Sequence, residues 1–236
     1  MGDTRAPLRT VNAVAPIRIC DNGGWTDTWF ARHGKVCNIA VSPYVEVQAK
    51  VHPIGALPAR VVLDAENYGE RYGFDPDDPP GRHPLLEAAV GYIGLPPDAS
   101  VEVNVFSSAP AGCSTGTSAS VTVALIGALD RLTPGRLGRR AVADAAHRVE
   151  TERLRAQAGV QDQLCAAYGG INFIELPSYP YATVTPLSVP DAVWWELERR
   201  LVLVYLGRAH VSSDVHDRVI AGLEHEREAS PHLEAL

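Results

Sequence analysis

Apolar and polar residues alternate through residues 36–51, where Val45, Val47, Ala49 and Val51 share one side. That two-residue period predicts half-buried strand. Val101, Val103 and Val105 repeat it, so 101–106 reads as a strand, as do 60–63, 171–175 and the strongly apolar 201–206. Elsewhere the period lengthens. Leu85, Leu86, Ala89, Val90 and Ile93 recur at helical spacing within 84–94. The stretch 121–132 is so uniformly apolar that it predicts a buried helix. Residues 138–156 read as a charged helix ending before Gly159, and 212–228 as another helix. Asp, Pro and Gly crowd 73–83, which predicts a surface loop. Strands and helices mixed in this order predict an α+β fold.

Composition narrows the class. The 236 residues suffice for one large domain or two modest ones with a sizeable core. Hydrophobic residues make up 46% and charged residues 21%, the balance of a folded chain rather than a disordered one. The formal net charge is -7 with no basic block, which speaks against nucleic acid and anionic membranes as partners. No apolar run has the length of a membrane span, and the N-terminus has no signal-peptide core. Cys20, Cys37, Cys113 and Cys165 are scattered without a Cys-x-x-Cys pair, and the eight His residues show no metal spacing. Reduced thiols in a cytoplasmic protein follow from that pattern.

The densest chemistry lies in residues 110–120, Pro-Ala-Gly-Cys-Ser-Thr-Gly-Thr-Ser-Ala-Ser, between a predicted strand and a predicted helix. Small residues there expose backbone N–H groups, and the helix N-terminus adds partial positive charge, which together cradle an anion. The hydroxyls of Ser114, Thr115, Thr117 and Ser118 can bond phosphate oxygens or ligate magnesium. A helix start capped by Ser or Thr would carry the same residues. The loop is no Walker A sequence, since it lacks the Gly-Lys-Ser/Thr ending, and no Gly-x-Gly-x-x-Gly opens it.

This loop resembles the second motif of the GHMP kinases, the galactokinase, homoserine kinase, mevalonate kinase and phosphomevalonate kinase superfamily. That motif reads roughly Pro-x-Gly-x-Gly-Leu-Gly-Ser-Ser-Ala. Pro110, Gly112, Gly116, Thr117, Ser118 and Ala119 match it or substitute conservatively. Ser114 stands in place of a Gly and Thr115 of a Leu, so one position loses the conformational freedom of glycine. Residues 15–28 resemble the first motif of the sugar-type members, in which Pro-x-Arg opens a strand and Thr-Asp closes a loop. Here Gly23-Gly24-Trp25-Thr26-Asp27-Thr28 is nearest to fucokinase-like proteins, and heptose-phosphate kinases carry Gly-Gly-Gly-Thr-Asp. Galactokinases have Glu and His where this chain has Gly24 and Trp25. Alone, the two glycines read as a plain turn and Asp27 as a loop carboxylate. Gly159-Val160-Gln161-Asp162-Gln163, followed by Gly169-Gly170, resembles the Gly-x-x-Asp-Gln of sugar kinases.

The resemblance implies a GHMP kinase fold. A ribosomal-S5-like N-terminal domain over 1–185 precedes the start of a ferredoxin-like C-terminal domain over 186–236, the boundary falling where Pro is frequent at 177–190. It also implies ATP-dependent phosphoryl transfer to a sugar or sugar-phosphate hydroxyl, at the anomeric C1 position. Pro110, Gly112, Cys113, Ser114, Thr115, Gly116, Thr117 and Ser118 would hold the triphosphate. Ser118 and Glu150 would ligate Mg2+, with Glu152 at nearly the same height on its helix. Asp162 would orient or deprotonate the acceptor hydroxyl, with Arg18 beside it. Gly23, Gly24, Trp25, Thr26 and Asp27 would bind the sugar, Trp25 stacking on a C–H face.

One departure stands out. GHMP kinases continue to a third, Gly-rich motif, and none follows here before Leu236. The C-terminal domain is therefore expected to be incomplete, leaving 201–206 to self-associate, as in a homodimer, or to be covered by a longer polypeptide. Two other functions stay open beside the sugar kinase. One is a GHMP kinase for a different hydroxylated metabolite. The other is a non-catalytic nucleotide or sugar sensor; an S5-like RNA-binding module would need a basic face.

Overall fold

The alternation at 36–51 becomes one long strand, β2 (Gly34–Pro53), and the sheet is built around it. The computed structural model describes residues 6–110, 112–132, 135–207 and 220. β1 (Arg9–Asn22) runs antiparallel along β2, from Arg9 opposite Val51 to Asn22 opposite Cys37. On the other side of β2, β5 (Ala99–Ser107) pairs with its C-terminal half and β6 (Ile171–Ser178) with its N-terminal half. β3 (Val61–Ala65) lies parallel to β5, and β4 (Glu70–Phe74) flanks it. β7 (Tyr181–Leu187) flanks β6.

One face of this sheet carries the core. Val45, Val47 and Ala49 of β2 point there with Val101 and Val103 of β5 and Val61 and Leu63 of β3, all buried. The apolar run at 121–132 forms most of α2 (Thr117–Asp130), which packs on β1 and β2. Around α2 stand α1 (Pro84–Ile93), α3 (Arg139–Arg148) and α4 (Gln161–Tyr168). Leu125, Ile126 and Leu129 are wholly enclosed, and each adds about 1.5–3 kcal/mol of burial. The opposite face is charged: Lys50 and Arg71 each lie 3.2 Å from Glu102, and Arg71 lies 3.1 Å from Asp64. A mostly antiparallel sheet with one solvated face tolerates that arrangement.

Several expectations need correction. The 201–206 stretch forms no strand; Val202 is 79% and Leu206 85% exposed. Its apolar residues favour a sheet, but no described strand lies beside it to supply hydrogen bonds. The helix expected over 138–156 stops at Arg148 and passes into a wider π-helical turn, Val149–Arg153. Gly73 and Phe74, read as loop, end β4. The Pro-rich 177–190 stretch contains β7, whose Pro186 is tolerated because β7 pairs only with β6 among the described strands. An unforeseen α5 (Asp191–Arg200) follows, with no buried residue. The helix expected at 212–228 lies outside the described residues except for Ile220, which is helical. Most of 186–236 lies outside them as well.

Candidate active site

Three segments distant in sequence meet at one cleft of about 1140 Å³. β1 delivers Arg18, the loop before α2 delivers residues 112–118, and the start of α4 delivers Asp162. Arg18 ties the three together. Its Nε donates to Asp162 Oδ1 at 2.7 Å, one terminal nitrogen donates to the Ser114 carbonyl at 2.8 Å, and its backbone N–H donates to the Thr115 carbonyl at 2.9 Å. Burial disfavours the guanidinium charge, but the ion pair with Asp162 outweighs it, and the Arg18 pKa is raised.

The 112–116 loop has an unusual backbone. Gly112, Ser114 and Gly116 have φ values of 71°, 60° and 70°, so left-handed residues alternate along it. Such alternation turns successive N–H groups toward one point, a nest for an anion. Ser114 holds the left-handed geometry although it lacks the freedom of glycine, at a cost in backbone strain. At Gly116 a Cβ would lie 3.1 Å from the Asp162 carboxylate, which keeps loop and carboxylate close. No side chain caps α2. The expected alternative of a Ser- or Thr-capped start is therefore absent, and the first-turn amides lack an internal partner. Thr115, Thr117 and Cys113 bond among themselves: Thr115 Oγ1 lies 2.8 Å from Cys113 Sγ and 3.3 Å from Thr117 Oγ1. Pro110 and Ser118 also line the cleft.

The 23–33 loop divides its residues between the cleft and the scaffold. Gly24, Trp25 and Asp27 line the cleft; Gly23 and Thr26 do not. Gly23 has φ of 80°, and a Cβ there would collide with the Lys35 carbonyl at 1.8 Å. Thr26 Oγ1 donates to the Gly23 carbonyl at 2.7 Å, closing the turn. Trp25 also holds a positive φ, 79°, and packs on Phe30 with centroids 5.8 Å apart. Asp27 is 2% exposed, and Gln161 grips both its oxygens: the backbone N–H reaches Oδ2 and Nε2 reaches Oδ1, each at 2.9 Å. Burial raises the Asp27 pKa against the pull of those donors. Gly159 is small for the same reason, since a Cβ there would lie 2.0 Å from Asp27 Oδ2.

Glu150 reaches the cleft from the π-helical turn, in which Leu154 N–H donates to the Val149 carbonyl at 3.1 Å. Gln163 Nε2 donates to its carboxylate at 3.0 Å. Burial pushes Glu150 up to about 7, with Asp162 adding to the rise and Gln163 opposing it. Asp27, Glu150 and Asp162 thus share one cleft with Arg18, the one arginine among the described residues that line it. Among the described residues, no cluster of three or more His, Cys, Asp or Glu side chains could hold a metal alone.

Sequence reading missed the other end of the cleft, where Asn67, Tyr68 and His83 stand, the last two with ring centroids 5.0 Å apart. Nothing in local sequence marks them. His83 is placed by Glu87, whose carboxylate takes the N–H groups of Gly81, Arg82 and His83 and the Tyr72 hydroxyl. Burial opposes that charge, yet these donors hold the Glu87 pKa below the usual value. It also gave no role to Gln161, whose signal is that it flanks Asp162, or to Gln163, which closes the Gly-x-x-Asp-Gln pattern.

No helix among the described residues is long and apolar enough to cross a membrane. Residues 85–170 match the GHMP kinases N terminal domain. Over 219 residues the chain is 25% identical to the D-glycero-alpha-D-manno-heptose 7-phosphate kinase of Campylobacter jejuni, covering 89% of this chain and 63% of that protein. It is 25% identical over 233 residues to the bifunctional fucokinase/GDP-fucose pyrophosphorylase of Arabidopsis thaliana, covering 91% of this chain and 22% of that one. The chain therefore spans less than two thirds of either relative's length. A solved D-glycero-D-manno-heptose 1-phosphate kinase from Bacteriodes thetaiotaomicron superposes with a TM-score of 0.67 at 24% identity, over 80% of this chain and 63% of that one, a likeness of fold. Residues 85–170 thus match the GHMP kinases N terminal domain, both relatives are kinases similar to this chain, and the sheet with its buried α2 is similar in fold to the solved heptose-phosphate kinase.

Proposed function

We propose that this protein transfers the γ-phosphoryl group of ATP to a hydroxyl of a sugar or sugar phosphate, at the anomeric C1 position. One observation carries the reading: the left-handed nest at 112–116 and the Arg18–Asp162 pair face the same cleft. Phosphoryl transfer requires alignment and charge neutralisation more than covalent help from the protein. The nest and the uncapped end of α2 suit the triphosphate. Tyr68 and His83 offer rings to a nucleobase. Asp162 Oδ1 is held by Arg18, which leaves Oδ2 to take or orient the acceptor proton. Asp27 and Trp25 suit a sugar, one by accepting hydroxyl protons and the other by its apolar face.

Three carboxylates in one cleft would repel a polyphosphate, so a divalent cation fits the donor set. The Ser118 hydroxyl and the Glu150 carboxylate are hard oxygen ligands of the kind Mg2+ takes alongside phosphate oxygens. When bound, Mg2+ supplies charge neutralisation at the phosphates. The heptose-phosphate kinase and fucokinase relatives support a sugar acceptor. We assign the first domain to 1–185 and the second to 186–236, and an ATP-consuming reaction with unbridged cysteines fits the cytoplasm.

ADP release tests the reading, with MgATP against L-fucose, D-mannose, D-galactose and D-glycero-D-manno-heptose 7-phosphate. Turnover is expected with fucose, mannose or the heptose phosphate, poor turnover with galactose, and loss of turnover in Asp162→Asn with ATP affinity kept within about a few-fold. No ADP above the sugar-free background with any of the four, or an Asp162→Asn protein as fast as its parent, would overturn it.

A further inference from the structure

Tyr179 lies outside all three motifs, in the turn between β6 and β7, yet it touches both loops that enclose Asp27. Its backbone N–H donates to the Arg32 carbonyl at 2.6 Å, near the end of the 23–33 loop. Its hydroxyl donates to the Ala158 carbonyl at 3.0 Å. Ala158 precedes Gly159, whose missing side chain makes room for the Asp27 carboxylate, and Gln161, whose two N–H groups grip it. The 158–161 turn is thus held at one end by Tyr179 and at the other by Asp27.

Behind Tyr179 stands His147 of α3, its Nε2 2.9 Å from the Tyr179 oxygen and the rings 5.7 Å apart, edge to face. A tyrosine has one hydroxyl proton, and the Ala158 carbonyl takes it. The bond network therefore has His147 donate from Nε2. Burial lowers the His147 pKa. A full hydrogen-bond chain then runs from α3 through Tyr179 to the turn that carries Gly159 and Gln161. Removing the hydroxyl takes one hydrogen-bond partner from each of two groups, the His147 ring and the Ala158 carbonyl.

We propose that Tyr179 is a positioning residue, which holds the 158–161 turn and the 23–33 loop at the separation that aims Asp27 into the cleft. What Asp27 then meets rests on the sugar-kinase reading above; the placement itself does not. Tyr179 touches neither the 112–118 loop nor the Arg18–Asp162 pair in this network, so nucleotide binding should not depend on it.

The test is Tyr179→Phe, which keeps the ring and the backbone N–H. Hydrogen exchange in peptides covering 158–163 and 23–33 should rise several-fold or more, while peptides covering 112–120 stay at the parent rate. With the sugar that the parent phosphorylates, KM for that sugar should rise about ten-fold or more, while KM for MgATP holds. Unchanged exchange at 158–163 overturns the proposal, whatever the kinetics. Faster exchange with an unchanged sugar KM overturns it too, because the hydroxyl would then serve stability alone. Should the parent phosphorylate none of the sugars, the sugar-kinase reading falls and exchange decides the positioning role by itself. Should Tyr179→Phe not fold, His147→Gln is read the same way, since its shorter amide draws back from Tyr179; exchange there at the parent rate would overturn the proposal.

Discussion

Replacing Glu150 by Gln should stabilise the protein at alkaline pH and leave it nearly unchanged in mild acid. Burial pushes the Glu150 carboxyl from its ordinary 4.5 up to about 7 in the folded chain. A raised carboxylate favours the fold only while protonated. Its contribution is fully present below the unfolded value, falls as pH rises through the folded one and is gone above it. Between about pH 5 and pH 8 this group alone should cost the parent about 2–3 kcal/mol of stability. Gln carries no charge, and its amide oxygen can still accept the bond that Gln163 Nε2 gives to Glu150. Urea unfolding of both proteins at several pH values gives the difference directly, and effects of titrating groups that do not interact with Glu150 cancel in it. The difference should be small at pH 5 and grow toward pH 8, with Gln the more stable. A flat difference across that range, or a Gln variant weaker at pH 8, would refute the reasoning.

Ser118→Ala should weaken binding of MgADP more than of metal-free ADP, measured by calorimetry. Equal affinities in the two proteins would reduce Ser118 to a residue of the helix start. Gly159→Ala should displace the Asp27 carboxylate, because the added Cβ would lie 2.0 Å from Oδ2, and should cost about 1–3 kcal/mol in urea unfolding. A variant as stable as the parent would mean that the 158–161 turn yields without strain.

Local pattern determined much of this protein. Valine alternation at 45–49 and 101–105 specified the sheet's buried face, because a side-chain period of two leaves one way to bury them. The apolar run at 121–132 specified a helix enclosed on most sides. Small residues at 110–120, Gly-Gly before Thr26-Asp27 and Gly-x-x-Asp at 159–162 marked the three parts of the cleft, since glycine is demanded where chain or ligand comes close. Tertiary structure decided the rest. Arg18, Ser114 and Asp162 lie 96 and 144 residues apart in their contacts, and only the β1–α2–α4 packing brings them together. The π-helical turn that delivers Glu150 leaves no mark in a pattern of apolar spacing. The fate of 201–206 was equally illegible, because an apolar strand needs a neighbour and sequence does not say whether one stands beside it. Asp27 shows the limit most plainly. Its neighbours in sequence suggest an open loop carboxylate, whereas Gln161 and Gly159, both more than a hundred residues away, make it a buried and gripped one.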